Sequence, residues 1–192
     1  MERDHNDISR IPKFIHHIES LKHNKRFTTN PFVERKDTVA SHSWRASLLF
    51  LSFEGLLPET ISRQKVYELL TMHDLTELEK EGTKALGFRN EKEKIKEDRE
   101  DDFSQFSYLA EPLYKKLRDL WSEYKEQKSV ESKIAKTIER LESNWTAIES
   151  VDAVKDKTHR QRTIEYVTGL LGADRHLDML INLQLEEIKS IK

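Results

Sequence analysis

The chain has 192 residues, with 33 lysines and arginines against 35 aspartates and glutamates, so it can bury a hydrophobic core and carries no basic excess favouring a nucleic-acid partner. It contains no cysteine, which excludes disulfides, thiolate ligands and a cysteine nucleophile and leaves imidazoles and carboxylates as metal ligands. The segment Met1-Glu2-Arg3-Asp4-His5-Asn6-Asp7 is polar and no apolar run approaches the roughly 20 residues of a membrane span, so a soluble, cytoplasmic protein is expected.

Only five glycines and four prolines interrupt the chain, and apolar residues recur at three- and four-residue spacing, which predicts an all-α fold. A first helix is expected from Ile8 to about Lys22, with Ser9 as cap, Pro12 in its first turn, and Ile11, Phe14, Ile15, Ile18 and Leu21 on one face. Asn24 to Lys36, with Asn30-Pro31, reads as a loop leading to Asp37 or Thr38 as cap of a second helix that holds Val39, His42, Ala46, Leu49 and Phe50. Gly55 and Pro58 end it, and a third helix is expected from Glu59 or Thr60 through Val66, Leu69 and Leu70 to His73-Asp74. Gly82 and Gly87 bracket an irregular stretch, and Asn90 to Asp102 reads as a charged, solvated helix. Beyond Pro112 follow a helix to Tyr124, a long one from about Ser132 to Ile148, and a pair near Arg160–Leu171 and Asp174–Ile191. No repeat or flexible linker divides the chain, so a single compact helical bundle over residues 1–192 is expected.

Chemistry concentrates in His42, the pair His73-Asp74, and an acidic residue near Glu139. Two imidazole nitrogens and two carboxylates can hold one divalent cation, neutralise it and leave positions for water. This mixed set favours manganese, iron, cobalt, nickel or magnesium over a sulfur-seeking metal. An ion with open positions can lower the pKa of water and polarise a phosphoryl oxygen.

The segment Thr38-Val39-Ala40-Ser41-His42-Ser43-Trp44-Arg45, followed by Met72-His73-Asp74-Leu75-Thr76-Glu77, resembles the first two ligand motifs of HD-domain phosphohydrolases, closest to the small 5'-deoxynucleotidase group. Leu120 to Tyr124 and Ser132 to Glu142 resemble the segment that delivers the last ligand of that family. The similarity runs from about Ile11 to Ile148, leaving the helices at 159–191 outside it. It implies an HD-domain bundle that binds one divalent metal ion (manganese, cobalt, magnesium, iron or nickel) through His42, His73, Asp74 and Glu139. It also implies that Glu77 handles a proton of the attacking water or the leaving oxygen, and that the protein forms a homodimer.

The chain departs from that pattern in three places. Glu139 stands where the family has aspartate, one methylene farther from the backbone, with Glu142 one turn later as an alternative ligand. Glu81-Gly82-Thr83 replaces a glycine-aspartate pair that would contact the sugar, and Phe27-Thr28-Thr29 lacks the tryptophan that follows the arginine. Arg26 fits that arginine and is the candidate phosphate ligand, with Lys96 as a second.

Plainer readings compete. A lone His-Asp pair is common, Glu139 and Glu77 lie in charge-rich surroundings that suit a solvated face, and Arg26 sits beside Lys22, His23 and Lys25 as in an ordinary basic loop. Trp44 and Trp145 read as core or pocket walls, and His16, His17 and His159 as surface or structural residues. No Gly-x-Ser-x-Gly elbow or phosphate-cradling glycine loop is present. The function expected from the resemblance is hydrolysis of a nucleoside 5'-monophosphate, with a small-molecule nucleotide as partner and neither nucleic acid nor membrane. The alternatives are a triphosphate hydrolase releasing tripolyphosphate and a nucleotide-binding protein without turnover.

Overall fold

The computed structural model describes residues 8–26, 37–78, 102–149 and 156–191. These form seven α-helices: α1 (Ile11–His17), α2 (Val39–Phe53), α3 (Arg63–Met72), α4 (Glu111–Glu126), α5 (Val130–Glu149), α6 (Lys157–Thr168) and α7 (Arg175–Ser190). Short 3-10 turns follow at Ile18–Lys22, Glu54–Leu56, Leu75–Glu77 and Asp102–Phe106. No β-strand occurs among the described residues, in agreement with the all-α expectation; an isolated antiparallel bridge pairs Lys25 with Thr38. The charged stretch from Asn90 and the Glu81-Gly82-Thr83 departure lie outside the described residues, as does Lys96.

Helix α5 is the axis of the bundle and packs against α2, α3, α4, α6 and α7. Its spacing explains this: Ile134, Ile138 and Leu141 recur at three and four residues and are fully buried. Ile134 and Ile138 join Phe50, Leu69, Leu70, Phe103 and Phe106 in one apolar cluster. Leu141 and Ile148 join Val167, Leu170, Ile181, Leu185 and Ile188 in a second. The rest of α5 is unusual, because Ser132, Thr137, Glu139, Glu142, Ser143, Asn144 and Thr146 are buried too. Such groups are tolerated inside only when partnered, and the partners of the two glutamates form the site described below.

Several boundaries differ from the sequence expectation, each for a local reason. The cap of α1 is Arg10, in helical rather than extended geometry, and not Ser9. Pro12 lacks the amide that a cap would satisfy there, and Arg10 instead donates to the Tyr108 carbonyl at 3.1 Å. Phe14, Ile18 and Leu21 pack on the core, whereas Ile11 and Ile15 stay exposed. Helix α3 starts at Arg63, later than expected, because Ile61 closes a turn onto Pro58 and the Ser62 side chain accepts from the Lys65 amide. The Arg63 guanidinium holds that turn by donating to the carbonyls of Leu57, Pro58 and Ile61 at 2.6, 2.8 and 2.9 Å. Trp44 is 66% exposed and so is not a core residue, while Trp145 packs against the second cluster and donates to Glu187 at 2.9 Å.

The second cluster anchors α7, so truncating its contents should cost more than truncating that helix's outer face. Ile181→Ala is expected to lower unfolding free energy by about 2–5 kcal/mol. Met179→Ala, at a position 65% exposed, is expected to change it by less than about 0.5 kcal/mol; chemical denaturation of both variants provides the comparison.

Candidate metal centre

Three elements deliver the candidate ligands. Thr38 caps α2 by accepting from the Ser41 amide at 3.1 Å, and the Ser41 hydroxyl accepts from the Thr38 amide at 2.9 Å, a reciprocal box that fixes the first turn. His42 follows on the inner face of α2 and is fully buried. Helix α3 stops at Met72, so His73 sits at its C-cap and Asp74 just outside it; Glu77 lies on the 3-10 turn that follows, its amide donating to the Asp74 carbonyl at 3.0 Å. Glu139 and Glu142 come from the middle of α5.

These elements converge on one point. The Nε2 atoms of His42 and His73 face each other at 3.1 Å. Asp74 Oδ2 lies 3.2 Å from His73 Nε2 and 3.9 Å from His42 Nε2, and Glu139 Oε1 lies 3.9 Å from His42 Nε2. One ligand atom each from His42, His73 and Glu139 falls within 4.8 Å of the others. The opposite ring nitrogens are engaged elsewhere. His42 Nδ1 hydrogen-bonds the Glu142 carboxylate and His73 Nδ1 donates to the Leu70 carbonyl at 2.7 Å. Both acceptors require the proton on Nδ1. Two neutral rings so oriented would point lone pairs at each other across 3.1 Å, and only a shared cation, a proton or a metal ion, makes the arrangement favourable. The residues therefore fit a divalent ion, and Glu142 would orient the His42 imidazole toward it from behind.

The surroundings keep the carboxylates charged. Burial works against ionisation of Asp74, but His73, then His42 and Arg26, hold it well below the ordinary carboxylate range. Burial likewise opposes charge on Glu139, yet Lys136, His73 and His42 lower it to about 2. For His42, burial and then Arg26 outweigh the Glu142 hydrogen bond and depress the imidazole, which favours the lone pair a metal needs. For His73, burial is the largest single influence and acts downward, but Asp74 and Glu139 together outweigh it and raise the imidazole.

Arg26 is buried rather than part of a solvated basic loop. Its amide bonds the Asp37 carbonyl at 2.7 Å, and its guanidinium donates to Ser143 Oγ at 2.8 Å while lying 3.8 and 3.7 Å from the Glu139 and Glu142 carboxylates. Neighbouring Asn24 links the segment before Arg26 to the site: its carbonyl accepts from the Val39 amide at 3.0 Å and its side chain donates to the Glu77 carbonyl. Glu139 and Glu142 are likewise buried, not on a solvated face. Asn24, Tyr124, Lys136 and Arg45 also belong to this neighbourhood, through contacts that residue order does not reveal. The exception is the Lys136–Glu139 pair, which carries a signal there, the three-residue spacing of opposite charges on a helix.

His42→Ala or His73→Ala is expected to abolish manganese retention through gel filtration. Glu139→Gln should weaken it and Glu142→Gln should weaken it by about 10–100-fold; full occupancy in Glu139→Gln would remove Glu139 from the ligand set. Because imidazole ligands must be unprotonated, and His73 titrates above its ordinary 6.5, affinity should rise with pH through that raised value and fall as pH drops below it. Calorimetry over a pH series, in buffers of differing ionisation enthalpy, should also register proton release on binding at the acid end.

A family model described as HD domain matches residues 18–178, most of the chain, and extends past Ile148 into α6 and the start of α7. The 5'-deoxynucleotidase HDDC2 of Homo sapiens is 24% identical over 160 residues, 83% of this chain and 76% of that protein. The Danio rerio protein of the same name is 24% identical over 110 residues, 57% of this chain and just over half, 54%, of its own length. A solved structure described as a predicted metal-dependent phosphohydrolase from Magnetospirillum magnetotacticum MS-1 superposes with a TM-score of 0.76 at 18% identity, covering 96% of this chain and 93% of that one. Its likeness is one of fold. With the family model spanning most of its length and the histidine, histidine-aspartate and acidic segments gathered at one point, the chain belongs to the HD-domain family, near its phosphohydrolases of the 5'-deoxynucleotidase group.

Proposed function

We propose that the chain hydrolyses nucleoside 5'-monophosphates, deoxynucleotides among them, to nucleoside and phosphate. The observation that carries this reading is the paired Nε2 atoms of His42 and His73, 3.1 Å apart and flanked by Asp74 and Glu139, with a guanidinium adjoining. The names of the relatives support the choice of nucleotide. His42, His73, Asp74 and Glu139 would hold the ion, which supplies Lewis acidity toward a phosphoryl oxygen and water. Arg26 offers the phosphate a fork of donors and offsets the surrounding carboxylates; Lys96, outside the described residues, is the proposed second contact. Glu77 is proposed to take the proton of the attacking water or return one to the leaving 5'-oxygen, on a turn fixed by Asn24 and by the Asp74 carbonyl. The same reading includes a homodimer, in line with the resemblance.

The test is to strip the protein of metal, restore manganese, cobalt or magnesium singly, and follow products from mono-, di- and triphosphates. Inorganic phosphate from monophosphates is expected, with kcat in Glu77→Ala lowered about 10²–10⁴-fold and the loss in Arg26→Ala expressed mainly in KM. Tripolyphosphate as product would identify a triphosphate hydrolase instead. Nucleotide binding without any metal-stimulated product would make the chain a binding protein.

A further inference from the structure

The two oxygens of Glu139 have different surroundings. Oε2 accepts from the Tyr124 hydroxyl at 3.2 Å and from Lys136 Nζ at 3.1 Å, and Lys136 Nζ also lies 3.1 Å from the Tyr124 oxygen. The three groups close a triangle in which lysine donates to phenol and carboxylate, and phenol donates to carboxylate. The ammonium also sits 4.9 Å from the centre of the Tyr124 ring, and the His73 ring lies 5.5 Å away between ring centres. Oε1 is held more loosely: Ser143 Oγ is 3.4 Å away and Arg26 Nη2 3.8 Å, and this is the oxygen turned toward His42 Nε2.

We infer that Tyr124 and Lys136 are positioning residues that restrict Glu139 to ligation through Oε1 alone, and so bias the centre toward small divalent ions and against calcium. The inference rests on the reading of Glu139 as a ligand. A glutamate has one more rotatable bond than aspartate, and fixing it in a buried site costs rotamer freedom. Two donors on Oε2, one of them charged, hold the longer side chain in a single pose. Two-oxygen ligation would require Oε2 to leave both donors. Calcium takes six to eight oxygen ligands and commonly uses carboxylates through both oxygens, whereas magnesium and the first-row ions accept fewer ligands at shorter distances.

The experiment measures manganese and calcium dissociation constants by equilibrium dialysis of the apoprotein, together with its melting temperature. The proteins are wild type, Tyr124→Phe, Lys136→Gln, Lys136→Arg and Glu139→Gln. Tyr124→Phe and Lys136→Gln should weaken manganese binding about 10–100-fold, the range for groups that orient a ligand, with calcium binding unchanged or tighter. Lys136→Arg should restore most of the manganese affinity. Unchanged manganese affinity in both Tyr124→Phe and Lys136→Gln, with loss in Glu139→Gln, overturns the inference and leaves Glu139 as a ligand. Equal losses for the two ions also overturn it, as expected of a merely structural role. Full manganese affinity in Glu139→Gln removes the ligand reading itself, and the inference with it.

Discussion

Two imidazoles that meet nitrogen to nitrogen, with their remaining protons committed elsewhere, are the constraint around which this bundle is arranged. His42 is locked from behind by Glu142 and His73 by the carbonyl of Leu70. Neither ring can turn away without abandoning a buried hydrogen bond, which costs about 1–3 kcal/mol when a partner is left unsatisfied. The rings therefore hold a geometry that a cation completes. Because they come from α2 and the end of α3, and both helices pack on α5, the site exists only when three segments far apart in sequence are docked.

That docking places an unusual density of charge inside a small protein. Asp74, Glu139 and Glu142 meet Arg26 and Lys136, with Arg45 reaching Glu142 at 3.5 Å from a half-exposed position. Buried ions are tolerated when each has opposite charge and hydrogen-bond partners, and removing one partner alone is strongly destabilising. The arrangement is better understood as a requirement of the site than as a source of stability. The apolar clusters on either end of α5 supply the burial that offsets its cost.

Much of this was legible from residue order. A cap at Asp37 or Thr38, the extents of α4 and α5 within a few residues, and the segments bearing His42, His73-Asp74 and Glu139 all follow from local spacing and motif, whereas the reciprocal bond from Ser41 appears only in the structure. What was not legible depends on contacts between distant segments. Arg26 looks solvated beside Lys22 and Lys25, yet the chain turns it inward, where Ser143 accepts from it 117 residues later. Trp44 looks like a core residue, but the helix that buries His42 and Ala46 leaves it on the outer side. Glu142 could be read as a spare ligand until the ring nitrogen that it faces was known. The start of α3 was misplaced because Arg63 holds the preceding carbonyls through tertiary geometry that no helix-start signal encodes.

The connection between α4 and α5 lies well away from the histidine pair, yet it bears on the pose proposed for Glu139. Gln127 adopts a left-handed backbone with φ of 54°, closing α4 through its amide on the Glu123 carbonyl at 3.2 Å, and its side chain reaches the carbonyls of Tyr124 and Ser132. Glycine would accept that backbone at no steric cost, but it has no side chain to stitch the two helices together. A hairpin residue without any chemistry of its own thus sets the reach of a phenol on one arm to a carboxylate on the other. Under the proposed positioning of Glu139, drift in that corner would alter ion choice while leaving the proposed ligands in place.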